Sequence, residues 1–178
     1  SEMQIEEEVI RAKVDEVVVK GRKDAIFGRE TYNNDLSDWF WPTQQPYQLS
    51  SRFEYRWGKP HNGIDISGTG EGSKIFSAND GVVVKVVTGC PNRGSYPNSC
   101  GGGYGNSVYI NHGNDVYTVY AHLMSNIPVK EGQEVSRGQV IGYMGSSGQS
   151  TGTHLHFGYS IGFPGQGTYK NPLELFPR

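Results

Sequence analysis

Gly105-Asn106-Ser107-Val108-Tyr109-Ile110-Asn111-His112-Gly113 runs through Asn114-Asp115 into Val116-Tyr117-Thr118-Val119-Tyr120-Ala121-His122-Leu123. Apolar and polar residues alternate in both arms, the period of a half-buried strand. Gly113-Asn114-Asp115 between them are turn residues, because they tolerate the left-handed backbone a tight reversal needs. The stretch therefore predicts an antiparallel hairpin. Outward from it, Lys74-Ile-Phe-Ser-Ala78 and Gly81-Val-Val-Val-Lys-Val-Val87 read as two more strands, split by the turn Asn79-Asp80-Gly81. Ile64 and Ile66 take alternate positions of the first core strand. Val129, Val135 and Ile141, spaced by glycines at 132, 138 and 142, read as short strands and glycine turns.

Composition points the same way. The chain has 25 glycines, and Val, Ile, Tyr and Phe dominate its apolar set, which favours strands joined by tight turns. The expected fold class is all-β, with an antiparallel sheet. At 178 residues the chain suffices for one well-cored domain and an appendage. The reading divides it into an N-terminal β segment at 1–27, a linker at 28–50 and a main domain at 51–178. Within the linker, Trp39 and Trp41 are expected to anchor the core.

Several function classes fall away. A net charge of −2 argues against a broad nucleic-acid surface. No apolar run approaches the roughly 20 residues that span a bilayer, and no leader-type segment is read at the N-terminus. There is no His-Glu-x-x-His helix and no Gly-x-Ser-x-Gly elbow. Cys90 and Cys100 bracket a turn-rich loop, so a disulfide is expected, worth about 2 to 3 kcal/mol. It would place the protein outside the reducing cytoplasm.

The chemistry concentrates in His61-Asn62-Gly63-Ile64-Asp65 and Thr153-His154-Leu155-His156-Phe157. The first offers an imidazole and a carboxylate; the second offers two imidazoles on one side of a strand. Five extended residues would hold His61 and Asp65 roughly 13 Å apart, but Asn62-Gly63 is a strong turn former and folds the pair together. Catalytic zinc takes three such ligands and keeps one position open. His61, Asp65 and one of His154 and His156 would suffice, leaving one imidazole spare.

Three blocks, Lys59-Pro-His-Asn-Gly-Ile-Asp-Ile66, Val119-Tyr-Ala-His-Leu123 and Gly152-Thr-His-Leu-His-Phe-Gly158, together resemble the LytM/lysostaphin-type zinc endopeptidases, which cut peptide bonds in bacterial peptidoglycan. The resemblance spans residues 51 to 176. It implies Zn2+ on His61, Asp65 and His156, with His122 and His154 flanking the open position as proton-transfer groups and Tyr55 aimed at the oxyanion. It also implies a peptidoglycan peptide as substrate, an extracytoplasmic location and a monomer. The resemblance implies, beside the antiparallel sheet, a second small sheet and long loops that form a substrate groove, with those at 67–73, 89–104 and 145–152 as its walls. His112, the remaining histidine of five, is read as structural. Relatives of the same fold that have lost catalysis supply an alternative, a scaffolding or binding domain in an envelope or sporulation complex. The glycine pattern at 129–142 is shared with biotinyl and lipoyl carriers, yet it lacks their lysine at a hairpin tip. Residues 3–20 also resemble the closing strands of a small β module of bacterial surface proteins.

Overall fold

The computed structural model describes residues 36–56 and 59–177, with backbone alone at 55–56 and 59–60. The β segment expected at 1–27, and the linker as far as residue 35, lie outside the described residues. The strands are β1 (Gln48–Ser51), β2 (Tyr55–Arg56), β3 (Lys59–Pro60), β4 (Ile64–Ser67), β5 (Lys74–Phe76), β6 (Gly81–Val87), β7 (Asn106–Asn111), β8 (Val116–Leu123), β9 (Glu134–Val135), β10 (Val140–Tyr143), β11 (Leu155–Ile161) and β12 (Thr168–Lys170). Two short 3-10 turns, Cys100–Gly103 and Pro172–Leu175, are the helical elements among the described residues. The expected all-β class is what forms.

One antiparallel sheet carries eight strands in the order β1-β4-β11-β8-β7-β6-β9, with β12 beside β11. β7 and β8 pair as the hairpin read from alternation, Tyr109 opposite Val119 and Asn111 opposite Tyr117. Asn114 and Asp115 at its tip have φ of 54° and 66°, the region asparagine and aspartate tolerate. β5 does not pair with β6, its neighbour in sequence, but with β10 in a separate two-stranded sheet. The segment between them is buried and its backbone is already engaged: Phe40 N donates to Ala78 O, Gly138 N to Ser77 O, and Ala78 N to the Tyr120 hydroxyl. With those groups committed, 77–80 crosses from the small sheet to the large one instead of closing a hairpin.

Ile64, Ile66, Val108, Ile110, Tyr120, Leu155 and Phe157 are fully buried on the core face of the large sheet. Burying a side chain of this size stabilises by about 1.5 to 3 kcal/mol. Trp39 and Trp41 pack on this core, the first edge-on to His112 at 5.0 Å and the second against Phe176 at 4.9 Å. Their ring N–H groups are satisfied by Leu36 O and Thr43 Oγ1, so both tryptophans serve packing. Cys90 and Cys100 form the expected disulfide across Cα atoms 5.9 Å apart.

His112 is structural, as read. It is fully buried, its Nδ1–H donates to Asp80 O at 2.7 Å, and its Nε2 lies 2.7 Å from Thr118 Oγ1. Burial pushes its pKa down from 6.5 to about 4, against the opposing pull of Asp80. The unfolded chain therefore binds one more proton than the native state between those values, and stability falls as pH drops from about 6.5 to about 4. The loss assigned to this ring is on the order of 3 kcal/mol. In urea titrations across that window the stability gap between wild type and His112→Asn should shrink as pH falls. A constant gap would show that His112 does not carry the effect.

Candidate metal centre

Register places the two distant sequence blocks face to face. In the β4–β11 ladder His156 stands directly opposite Asp65, flanked by Leu155–Ile66 and Phe157–Ile64. Those four apolar residues point into the core, so period two sends Asp65 and His156 to the other face. Asp65 Oδ1 lies 3.2 Å from His156 Nδ1. The turn at Asn62-Gly63 brings His61 back as its sequence predicts, its Nε2 3.4 Å from the same oxygen. His154, in a bridge with Gly145, brings its Nε2 to 3.7 Å.

His122 reaches the group by a different route. Alternation along β8 would put it with Thr118 and Tyr120 on the core side. Instead Asn106 faces Leu123 while Val108 faces Tyr120, so two residues of β8 oppose one of β7. This is a β-bulge, a device that re-aims a side chain. His122 sits in it with φ of 63°, a conformation histidine adopts more readily than most residues. Its ring ends 4.7 Å from that of His154 and 6.1 Å from that of His156.

Backbone carbonyls set three of the four tautomers. His61 Nδ1 lies 3.0 Å from Arg52 O, His122 Nδ1 2.8 Å from Ser147 O, and His154 Nδ1 2.8 Å from Gly152 O. A carbonyl only accepts, so each Nδ1 carries the proton and each Nε2 keeps its lone pair. His156 Nε2 is buried without a hydrogen-bond partner. Burial alone would raise the Asp65 carboxyl. When the surrounding rings are protonated, hydrogen bonds from His156 and His61 and the charges of His156 and His154 outweigh it and hold the group well below the usual carboxylate range. Burial pushes His156 down, opposed by Asp65. Burial, helped by His154 and opposed by the Ser147 carbonyl, pushes His122 down to about 4.

His61, Asp65 and His156 offer one donor atom each, all within 4.8 Å of one another. Ligands about 2.05 Å from a tetrahedral zinc ion stand about 3.3 Å apart. The two His–Asp separations, 3.4 and 3.2 Å, match that edge, and the second-layer carbonyl on His61 is the usual companion of a ligating imidazole. The donor set fits zinc. Of the six residues singled out from sequence, five converge here. The sixth, Tyr55, has its backbone in β2 and its side chain outside the described residues.

The loops at 89–104 and 145–152 are knitted beside the histidines: Ser146 N donates to Asn92 Oδ1 and Gln149 N to Gly103 O. The loop at 67–73 joins through Gly72 N to Met144 O. Sequence reading missed Ser147, whose carbonyl holds His122, and Tyr104, whose ring lies 5.1 Å from His156. An aromatic inside the run Gly101-Gly-Gly-Tyr-Gly105 was the available signal.

Residues 59–172 match the model of Peptidase family M23. The chain is 39% identical over 124 residues to the peptidoglycan DD-endopeptidase ShyA of Vibrio cholerae, covering 66% of this chain and 26% of that protein. It is 36% identical over 143 residues to the murein hydrolase activator NlpD of Escherichia coli, covering 80% of this chain and 32% of that one. The chain thus spans about a quarter to a third of the length of these curated relatives. A crystal structure of a zinc containing peptidase from Vibrio cholerae superposes with a TM-score of 0.55 at 35% identity, over 67% of this chain and 35% of that one.

Gly63 closes the site sterically. A Cβ there would fall 2.4 Å from Phe157 O and 2.9 Å from both Cε1 and Nε2 of His156. Gly63→Ala should therefore shift the loop off β11 and cost about 1 to 3 kcal/mol in urea unfolding at neutral pH. Wild-type stability in that variant would mean the loop has room that these distances deny.

Proposed function

Since the chain belongs to peptidase family M23, we propose that it is a zinc-dependent endopeptidase that hydrolyses peptide bonds of bacterial peptidoglycan, acting outside the cytoplasm. The observation that carries this reading is the His61–Asp65–His156 group, whose donor atoms lie within 4.8 Å of one another, with two further imidazoles beside it. The zinc named in the solved neighbour supports the cofactor. The name of ShyA supports a bond between two D-configured residues as the first substrate class to test. The disulfide agrees with an oxidising compartment.

Zinc would be held by His61 Nε2, Asp65 Oδ1 and His156 Nδ1, and when bound it supplies an acidified water and Lewis acidity toward the scissile carbonyl. The chain supplies the proton path. His122 is neutral at physiological pH, and its Ser147 bond leaves the Nε2 lone pair available. His154 is set in the same tautomer by Gly152. One ring takes the proton released when water adds to the carbonyl carbon. The imidazolium so formed stabilises the developing oxyanion and then gives its proton to the amine as the C–N bond breaks. Burial lowers the basicity of the His122 ring, which favours passing a proton on to the leaving amine.

A second reading has one specific support. NlpD, matched over 80% of this chain, is named as an activator of murein hydrolases. Metal content measured alongside muropeptide release separates the two. The endopeptidase reading expects about one zinc per chain and release from at least one wall type. Zinc without release from any wall would favour the activator. His156→Ala and Asp65→Ala should lose both metal and activity, whereas His122→Ala should keep the metal and lose turnover by about 100-fold or more. Loss of zinc in His122→Ala would overturn the division between ligands and proton-transfer groups.

A further inference from the structure

The four rings of the site are not oriented in the same way. His61, His122 and His154 are each fixed through Nδ1 by a carbonyl, but the buried Nε2 of His156 meets no polar partner. A ligating imidazole ordinarily has its second nitrogen bonded to an oxygen that fixes the ring. Packing has to supply what that bond does elsewhere. Two groups do so: the Gly63 backbone against the Cε1–Nε2 edge, and the ring of Tyr104, tilted 36° at 5.1 Å from the imidazole.

Tyr104 is itself well held. Its N–H donates to Gly101 O in the turn after Cys100, and its carbonyl accepts from His122 N at 2.8 Å. Its side chain is half-buried, and its hydroxyl faces the side chain of Tyr169 on β12. The ring also meets His122 edge-on at 6.3 Å. One residue thus touches His156 with its ring and His122 with both ring and backbone. Resting on the metallopeptidase reading above, we infer that Tyr104 is a positioning residue that sets the orientation of His156 for its ligand role, with Tyr169 anchoring Tyr104 from behind. The ring does this work and the hydroxyl supports it.

The test uses the full chain with Tyr104→Leu, Tyr104→Phe, Tyr169→Phe and the Leu/Phe double variant. In chelator competition Tyr104→Leu should weaken zinc binding by about tenfold to a hundredfold. Tyr104→Phe and Tyr169→Phe should each stay within about threefold, and the double variant should match Tyr104→Leu, since Tyr169 acts through Tyr104. Cobalt-loaded Tyr104→Leu should show a visible spectrum shifted from wild type. In the metal-free protein, nuclear Overhauser contacts from the His156 ring to Gly63 should be present in wild type and Tyr104→Phe and lost in Tyr104→Leu. Should the leucine variant not fold, Tyr104→Met, a flexible filler, takes its place. Wild-type zinc affinity together with retained His156–Gly63 contacts in the leucine variant would overturn the inference. A Phe variant as weak as Leu would also overturn it, by moving the effect to the hydroxyl. Wild type binding no zinc would count against the metallopeptidase reading alone, and the metal-free contacts would still decide the part played by Tyr104.

Discussion

The opposition of Asp65 and His156 across β4 and β11 is the constraint on which the site rests. Directly opposed residues of an antiparallel pair hold their Cβ atoms about 4.5 to 5.5 Å apart, close enough for an imidazole and a carboxylate to meet without adjustment. What keeps them opposed is hydrophobic. Ile64, Ile66, Leu155 and Phe157 are wholly buried on the other side of the same two strands. A slip of one residue would carry those four to the groove and the acid and imidazole into the core. The apolar register therefore specifies the polar site from the opposite face of the sheet.

The rest of the constellation comes from departures from regular structure. The Asn62-Gly63 turn returns His61, the bulge in β8 turns His122 out of the core, and a single bridge to Gly145 places His154. Each of these three rings is steadied by a backbone carbonyl. A carbonyl is present whatever side chain its residue bears. Loop composition can thus vary around the groove while the tautomers stay fixed. The exception is His156, steadied by packing, and there the identity of Tyr104 and the absence of a side chain at Gly63 carry the geometry.

Electrostatically the cluster is unbalanced by design of its surroundings. Asp65 stays ionised because neighbouring rings hydrogen-bond to it despite its burial, while burial keeps His156 and His122 neutral near pH 7. A partly buried carboxylate ringed by imidazoles leaves a negative charge that a cation would balance. That imbalance supports the metal reading independently of ligand spacing. His112 shows the contrasting case: both of its nitrogens are engaged inside the core and its role is packing.

Local patterns along the chain were enough for the all-β class, the hairpin at 105–123, the return of His61 over Asp65 and the pairing of two distant blocks. Each of these follows from local rules: period-two alternation, turn propensity and the shared face of residues two apart. The sequence also marked the tryptophans as core anchors, since they lie in an irregular linker, and His112 as structural, since it stands at a turn outside the matching blocks. Tertiary structure alone decided the separation of β5 from β6, because the backbone of 77–80 bonds to segments distant in sequence. It alone turned His122 outward, because a bulge is a property of two strands aligned against each other and alternation within one strand predicts the opposite face. The same holds for Tyr104 and Ser147, whose positions depend on how two loops meet across the sheet, a long-range packing that no spacing in the chain encodes.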